Sequence, residues 1–390
     1  MRTILITGPG GSGRTTLAAA TALAAASGGT RTLVLGADRT DSLGAALGVA
    51  TGPKPVEAAP GLTAWRPDAA AGFRDDLAAF QERATGVLDL LGASRLDPEE
   101  VTPLPGAEEL TLLRALRDAA LTEAHDLLVV DLPPTPQALA LLALPEELRR
   151  YLRRLLPPER QAARALRPVL GRLAGIPLPA EWLYETSTRW DLELAAVEAV
   201  LADRHTAVRL VAEPGPAGAD AVRDARLGLA LRGLPVESLV ANRVLPQGAD
   251  GDGHDGPLGR LVAQQRKTLE EWGGARTVAH LGHDPRGADD LAALGVPAVN
   301  RDTSPVEWPI ADRLAADGVL VWHIPLPGAI REELDLIRRG DELVVTAGPF
   351  RRIVALPSAL RRCTVDGAAL RDGELCIRFA PDPALWPRTT

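Results

Sequence analysis

The chain has 390 residues, enough for one large domain, or a large domain with a small one, and either can bury a substantial core. Its formal net charge of −8 opposes nucleic-acid binding, because neutralising phosphates supplies most of that affinity. The only lysines are Lys54 and Lys267, so almost every cation is arginine and a single arginine says little about function.

The N-terminus reads directly into a strand, with no charged segment, apolar core and cleavage site before it. The apolar run at residues 17–26 is shorter than the roughly 20 residues that a membrane span needs. We therefore expect a cytoplasmic protein with no membrane-spanning helix.

In chain order, short apolar runs alternate with helical patterns. The runs predict strands at residues 3–7, 31–36, 62–66, 126–131, 206–212, 236–242 and 276–281, and the patterns predict late helices at 218–231 and 257–272. Three of the first four runs are nearly continuous in apolar residues, which is typical of central parallel strands covered on both faces. The pattern predicts a doubly wound α/β sheet over residues 1–298.

Two regions depart from this alternation. Residues 137–190 contain leucine- and arginine-rich helical segments broken by prolines, which predicts a helical insertion on the sheet. Residues 299–317 have little periodicity and predict a linker. Short strands then recur at 319–324, 342–347, 352–356, 363–365 and 375–379, so we predict a small all-β domain at 318–380.

A glycine-rich loop follows the first strand and precedes a helix. It matches the phosphate-binding pattern G-x-x-x-x-G-K-[ST], except that Arg14 stands where lysine is expected. Its backbone N–H groups would point at phosphate oxygens, and the following helix adds its N-terminal dipole. The predicted nucleotide contacts are Gly8, Gly10, Gly11, Ser12, Gly13, Arg14, Thr15 and Thr16, with the Thr15 hydroxyl also on Mg²⁺.

Three further segments resemble the arsenite-pump and tail-anchored-protein-targeting ATPases. Residues 33–47 are similar to the switch I segment of that family, residues 129–139 to its switch II segment, and residues 241–246 to its V-N-R-V-L-P segment. The resemblance implies that Asp38 orients the attacking water and that Asp131 supports Mg²⁺ indirectly. It also implies that Asn242 reads the adenine edge and that the loop containing Pro285 forms a second adenine-side segment.

The C-terminal part extends the resemblance. Residues 320–328 and 338–345 resemble the α-crystallin-like domain that some bacterial members of the family carry. The four ordered matches span nearly the whole chain, and they imply ATP or ADP with Mg²⁺ as cofactors and a homodimer as the assembly.

The sequence departs from the family at both loop cations. Pro9 stands where the family has a lysine that is thought to reach the partner's nucleotide, and Arg14 replaces the second lysine. Such a cation is worth roughly 10³ to 10⁵ in rate, so we expect slow or absent hydrolysis. An arginine from a partner subunit could replace the missing charge, so an active ATPase stays open. The switches also differ, with Asp41 for a histidine and Pro136 for a glycine.

The insertion and the cysteines bear on partners. Residues 147–172 carry eight arginines and leucines at helical spacing, a basic amphipathic surface. It either covers the sheet or meets an apolar protein segment or a membrane surface. Cys363 and Cys376 match neither the arsenite-branch cysteine trio nor a C-x-x-C pair, so we expect no arsenite binding and two core thiols.

Two hypotheses of function follow. The first is a dimeric nucleotide-gated chaperone or sorting factor with weak or no ATP hydrolysis. The second is a non-catalytic pseudo-ATPase scaffold that holds protein partners through the β domain and the helical insertion.

Overall fold

A computed structural model describes residues 1–36, 38–85, 88–89, 92, 94–156, 181–246, 256–300 and 303–386. It confirms the predicted fold class, an α/β domain with a parallel sheet followed by an all-β domain. In these ranges, none of the helices combines the length and the apolar content that crossing a bilayer would require.

The first domain is built on an eight-stranded sheet of order β3-β4-β2-β5-β1-β6-β7-β8. The strands are β1 (Arg2–Thr7), β2 (Thr32–Leu35), β3 (Val56–Ala59), β4 (Leu62–Trp65), β5 (Leu127–Asp131), β6 (Thr206–Ala212), β7 (Val236–Val244) and β8 (Arg276–Ala279). All neighbours pair in parallel except β3, which runs antiparallel to β4 at the edge. Every residue of β5 and β6 is buried, which explains their nearly continuous apolar sequences.

Helices cover both faces of this sheet. They are α1 (Arg14–Ser27), α2 (Ser42–Leu47), α3 (Ala69–Arg83), α4 (Ala107–Leu121), α5 (Thr135–Leu155), α6 (Glu181–Leu201), α7 (Pro216–Arg232), α8 (Pro257–Trp272) and α9 (Gly287–Ala293). One apolar cluster joins the sheet to α4, α5, α6 and α7, and a second joins its other face to α1, α2 and α9. The predicted double winding follows from these two cores.

The predicted helical insertion lies partly outside the described residues, because residues 157–180 are not among them. On either side, α5 begins before the predicted insertion and α6 ends beyond it. Pro145 lies inside α5 and is buried, so the proline did not end this helix as sequence rules suggest.

The second domain contains two antiparallel sheets, β14-β15-β10-β9 and β11-β12-β13. Its elements are β9 (Ile310–Arg313), α10 (Leu314–Asp317), β10 (Val319–Pro325), β11 (Leu334–Arg339), β12 (Glu342–Ala347), β13 (Phe350–Ala355), α11 (Ser358–Arg361), β14 (Cys363–Arg371) and β15 (Glu374–Pro381). Because β9 pairs with β10, residues 310–313 belong to the β domain and not to the predicted 299–317 linker. The sequence pattern did not predict this strand, because the strand is short and its last two residues, Asp312 and Arg313, are charged.

The β domain packs against α5 and α7. Leu227 and Leu231 of α7 belong to the β-domain core. At Gly228, a Cβ atom would lie 2.5 Å from Leu139 of α5 and 3.2 Å from Phe350 of β13, so only glycine permits this three-way contact. Ion pairs complete the interface, with Arg150 of α5 on Glu342 at 3.1 Å and Arg352 on Glu146 at 3.2 Å.

A buried ion pair anchors the start of the segment between the domains. The fully buried Arg209 guanidinium in β6 contacts Glu237 of β7 at 3.0 Å. It also donates to the carbonyl oxygens of Pro297 and Ala298 at 3.0 and 3.1 Å. Glu237 accepts from the Asn300 N–H at 2.6 Å, so the pair fixes the backbone at 297–300 to the sheet.

Candidate nucleotide site

The glycine-rich loop connects the end of β1 to α1, as the sequence predicts. Gly11 and Gly13 have φ of 80° and 84°, in the left-handed region that other residues rarely adopt. A Cβ on Gly8 would lie 1.8 Å from the Val211 carbonyl oxygen, and one on Gly13 would lie 2.3 Å from Nδ2 of Asn242. Glycine is therefore required at 8 and 13 to form the loop.

Asn242 supports this loop from β7. Its side chain is buried, and Nδ2 donates to the Ser12 carbonyl oxygen at 2.8 Å. The side-chain NH₂ group of Asn242 therefore holds the loop in place. The sequence did not predict this role. The adenine contact itself stays a prediction.

Arg14 turns its guanidinium toward the protein. Nη1 of Arg14 donates to the carbonyl oxygen of Leu132, just beyond β5. Burial lowers the pKa of Arg14, and the nearby Asp131 carboxylate opposes that effect. Arg14, which replaces the family's lysine, is therefore hydrogen-bonded to the backbone of the switch II segment.

Switch II is held to the loop by further hydrogen bonds. Thr7 Oγ1 donates to the Pro133 carbonyl at 2.8 Å, and the Thr135 N–H donates to the Gly8 carbonyl at 3.0 Å. Only residues 132–134 separate β5 from α5. Prolines at 133, 134 and 136 restrict this short connection further.

Thr15 and Asp131, the two residues predicted to support Mg²⁺, contact each other, and their role at the ion stays a prediction. The Thr15 hydroxyl donates to Oδ2 of Asp131 at 2.6 Å. Burial raises the pKa of Asp131 from 3.8 to about 6, although the Thr15 hydrogen bond and Arg14 favour the carboxylate and the Asp38 charge disfavours it. A divalent cation beside this carboxyl group would favour its ionised form.

Asp38 lies in the turn before α2. Oδ2 of Asp38 accepts from the Ser42 N–H at 2.7 Å and from the Thr40 hydroxyl at 3.0 Å. Burial disfavours ionisation, yet these hydrogen bonds outweigh it and lower the pKa of Asp38. Asp38 is therefore a carboxylate at neutral pH, which suits an acceptor for a water. Its role in orienting the attacking water stays a prediction.

Asp41 has a structural role that sequence reasoning missed. With φ of 53° it caps α2, accepting from the Gly44 N–H at 3.1 Å. It also accepts from the Thr51 N–H at 3.0 Å and lies 3.4 Å from Nε of Arg66. The signal was present, because aspartate directly before the helical sequence Ser-Leu-Gly is a common N-cap pattern.

A cavity of about 490 Å³ opens beside the loop. Gly13 and Thr16 line it on one side, and Asn242 and Pro285, both predicted adenine-side residues, line it on others. Arg243 also lines it, donating to the Gly11 carbonyl at 3.1 Å and to Glu213 at 2.6 Å. The structure thus brings the phosphate loop and both adenine-side segments to one cavity, and adds Arg243.

Several buried polar atoms around the loop lack a hydrogen-bond partner among the described residues. These are Ser12 Oγ, Arg14 Nε, Asp38 Oδ1, Asp131 Oδ1 and Thr135 Oγ1. Buried polar groups normally find partners, so a cluster of unsatisfied ones indicates a missing ligand or solvent. Carboxylate and hydroxyl oxygens are the donors that Mg²⁺ prefers, and the residues present fit a nucleotide with Mg²⁺.

Comparison with known proteins decides the family. Residues 1–271 match the model of the anion-transporting ATPases, and residues 317–379 match the HSP20-like domain found in ArsA. The chain belongs to the anion-transporting ATPase family. The resemblance inferred from the four motifs is thereby confirmed, and this family binds nucleotide, generally with Mg²⁺.

Several relatives align with nearly the full length of this chain. An uncharacterized protein of Streptomyces coelicolor is 78% identical over 100% of both chains. A Mycobacterium tuberculosis protein is 33% identical over 99% of this chain and 97% of its own. An Aquifex aeolicus protein, whose name describes a candidate arsenical pump-driving ATPase, is 25% identical over 97% of this chain and 99% of its own.

Proposed function

We propose that this protein binds ATP or ADP with Mg²⁺ at the glycine-rich loop and hydrolyses ATP slowly or not at all. In this proposal it is a cytoplasmic homodimer and a nucleotide-gated chaperone or sorting factor. The observation that carries the proposal is the Arg14 guanidinium bound to the Leu132 carbonyl beside a glycine loop of intact geometry.

Nucleotide binding is supported by the loop and its surroundings. Gly8 and Gly13 are sterically required, the adjoining cavity has a volume of about 490 Å³, and unsatisfied polar atoms converge on the loop. In this proposal Thr15 binds Mg²⁺, Asp131 supports it indirectly through its hydrogen bond with Thr15, and the ion neutralises phosphate charge.

Weak hydrolysis is supported by the two altered cations. Pro9 carries no charge, and the Arg14 guanidinium donates to a protein carbonyl through Nη1. A transition-state cation is worth roughly 10³ to 10⁵ in rate, so losing this stabilisation leaves binding possible while chemistry slows.

Gating is supported by the path of α5. Its first residue, Thr135, donates its N–H to the Gly8 carbonyl, so the helix begins on the phosphate loop. Its later residues Glu146 and Arg150 form ion pairs with the β domain. A shift of switch II on nucleotide binding would move a helix whose other end holds the HSP20-like domain.

A partner surface is supported by exposed apolar residues in the last turns of α5 and in the middle of α6. Tyr151, Leu155 and Leu192 are exposed by 53%, 76% and 66%. Beside the basic sequence of the insertion, they favour an apolar protein segment as the partner, and a membrane surface is the alternative.

A second candidate function is a pseudo-ATPase scaffold without gating. It is favoured by the hydrogen bonds that pin switch II, those of Arg14, Thr7 and Gly8, together with the proline-restricted connection. In this case nucleotide, if bound, would not move α5.

The first test measures binding of ATP and ADP with Mg²⁺ by calorimetry, followed by phosphate release on the same sample. Micromolar binding with negligible turnover is expected, whereas turnover typical of the family would contradict slow hydrolysis. The absence of binding would leave only the scaffold.

Restoring the cations makes the test decisive. We expect the double variant Pro9→Lys, Arg14→Lys to gain phosphate release of at least about 10³-fold, because both transition-state charges return. The matched control Ala24→Lys adds a lysine at an exposed site of α1 and should leave the rate unchanged.

Gating is tested separately by amide hydrogen exchange in α5 and the β domain, with and without nucleotide. Unchanged protection of the amide protons would favour the scaffold.

A further inference from the structure

Three potential metal ligands meet on the outer face of the β domain, far along the chain from the nucleotide loop. His323 lies in β10, and Glu374 and Cys376 lie in the neighbouring strand β15. His323 pairs directly with Cys376, while Glu374 pairs with Pro325, two residues along. Because alternate residues of a strand share a face, all three side chains emerge on the same side of the sheet.

This face is separate from the core of the domain. The intervening residues Trp322, Ile324, Leu375 and Ile377 are buried in the β-domain cluster. By contrast, the side chains of His323 and Glu374 are 28% and 43% exposed. The three residues are thus not needed to fill the core, and a solvent cation can reach them.

The donor atoms converge on a single point. Nδ1 of His323 lies 2.9 Å from Oε1 of Glu374 and 3.7 Å from Sγ of Cys376, and all three atoms lie within 4.8 Å of one another. Tetrahedral Zn²⁺ at about 2.0–2.3 Å from its ligands separates them by about 3.3–3.6 Å. Small side-chain rotations would therefore bring all three atoms to a shared cation.

The geometry does not suit a nucleophilic cysteine. In such a site the carboxylate orients one imidazole nitrogen while the other nitrogen faces the thiol. Here the carboxylate and the thiol both face Nδ1.

We propose that His323, Glu374 and Cys376 form a Zn²⁺ site that joins β10 to β15. Imidazole and thiolate favour zinc over Mg²⁺ or Ca²⁺. Three protein ligands leave a fourth position facing solvent, open to water or to a donor group of a partner. Cys376 is then a ligand and not the core thiol that the sequence predicts, whereas Cys363 is buried as predicted.

The test uses the full chain, stripped of metal with a chelator and titrated with Co²⁺ as a spectroscopic probe. We expect a thiolate-to-cobalt charge-transfer band that saturates at one cobalt per chain and is displaced by Zn²⁺. The thiolate band distinguishes this site from the predicted Mg²⁺ site at the nucleotide loop, where Thr15 and Asp131 offer oxygen donors.

Variants identify the ligands. Cys376→Ser should abolish the band, while the matched control Cys363→Ala should retain it. His323→Gln and Glu374→Gln should each weaken Zn²⁺ binding by more than about 10-fold, since even residues that only support a ligand are worth 10–100-fold. Circular dichroism confirms that each variant folds.

Three results would count against the site. A wild-type protein that gives no thiolate band overturns the proposal. So does a band that persists in Cys376→Ser, or a Zn²⁺ affinity that is unchanged in both His323→Gln and Glu374→Gln.

Discussion

The two ends of α5 are held in opposite ways. At its N-terminal end the helix meets the phosphate loop, where Asp131 and Thr135 keep buried polar atoms without partners among the described residues. Toward its C-terminal end, Glu146 and Arg150 form ion pairs with the β domain. One end of the helix therefore keeps polar atoms that a ligand could satisfy, while the other end is already paired. A change should therefore begin at the loop and be carried to the β domain.

The largest effect is expected from a substitution in the phosphate loop, at the N-terminal end of α5. Gly13→Ala forces a side chain into a left-handed position and against Nδ2 of Asn242. We expect a loss of about 2–4 kcal/mol in the free energy of unfolding, from αL strain and a disturbed buried hydrogen bond. Denaturant unfolding measures it. Gly10→Ala is the control, because its Cβ meets nothing within 4 Å, and equal losses in the two variants would contradict the steric argument.

A second prediction concerns the pH dependence of the same end. Because burial raises the pKa of Asp131 from 3.8 to about 6, the unfolded chain releases this proton first as the pH rises. The ionisation of Asp131 therefore lowers the free energy of unfolding as the pH rises from about 4 to 6, and this contribution stays lost above that range. Asp131→Asn removes the penalty, so its advantage should grow over this range to on the order of 2–3 kcal/mol. Urea unfolding at several pH values measures the difference. A pH-independent difference would refute the assignment.

The third prediction breaks the contact between α5, α7 and the β domain. Gly228→Val places methyl groups against Leu139 and Phe350, where no space exists. Overpacking should cost about 1–3 kcal/mol and weaken any nucleotide-dependent protection of the β domain. Thermal melting and hydrogen exchange measure the two effects. Ala217→Val is the control, because Ala217 is exposed on the same helix. A similar loss of stability in this control would show that the low helix propensity of valine, and not overpacking, causes the effect.

The smallest expected effect is at the ion pair between α5 and β12. The hydrogen bond from Arg150 lowers the pKa of Glu342, so the pair stabilises the fold above the ordinary pKa of glutamate. This contribution is lost as the pH falls through the lowered value. Glu342→Gln should cost about 0.5–1 kcal/mol at neutral pH, and less at high salt, because the pair is partly exposed. A cost that salt does not change would point to packing instead.

Much of the first domain could be predicted because parallel strands buried on both faces leave long apolar runs. The strand at Thr206–Ala212 was predicted with its observed bounds. The phosphate loop was equally readable, since its glycines are imposed by backbone geometry. The antiparallel edge strand β3 and the short strand β9 were missed, because charged residues interrupt both short sequences and leave no apolar run.

Contacts between distant residues could not be predicted. Arg14 was expected to face phosphate, and only the fold shows that Leu132, 118 residues later, accepts its hydrogen bond. His323 and Cys376 lie 53 positions apart, and their meeting depends on the register of β10 against β15. Such pairs leave no local pattern because strand pairing, not sequence spacing, creates them.

The buried pair of Arg209 and Glu237 bears on where the chain can be divided. The carbonyl acceptors of Arg209 arrive 88 and 89 residues after it, in Pro297 and Ala298. During synthesis the Arg209 guanidinium therefore lacks these two acceptors until residues 297 and 298 have left the ribosome. A fragment that stops at residue 296 would leave the buried pair of Arg209 and Glu237 without its backbone partners at Pro297, Ala298 and Asn300. An expression boundary beyond Asn300, whose N–H donates to Glu237, would retain all of these hydrogen bonds.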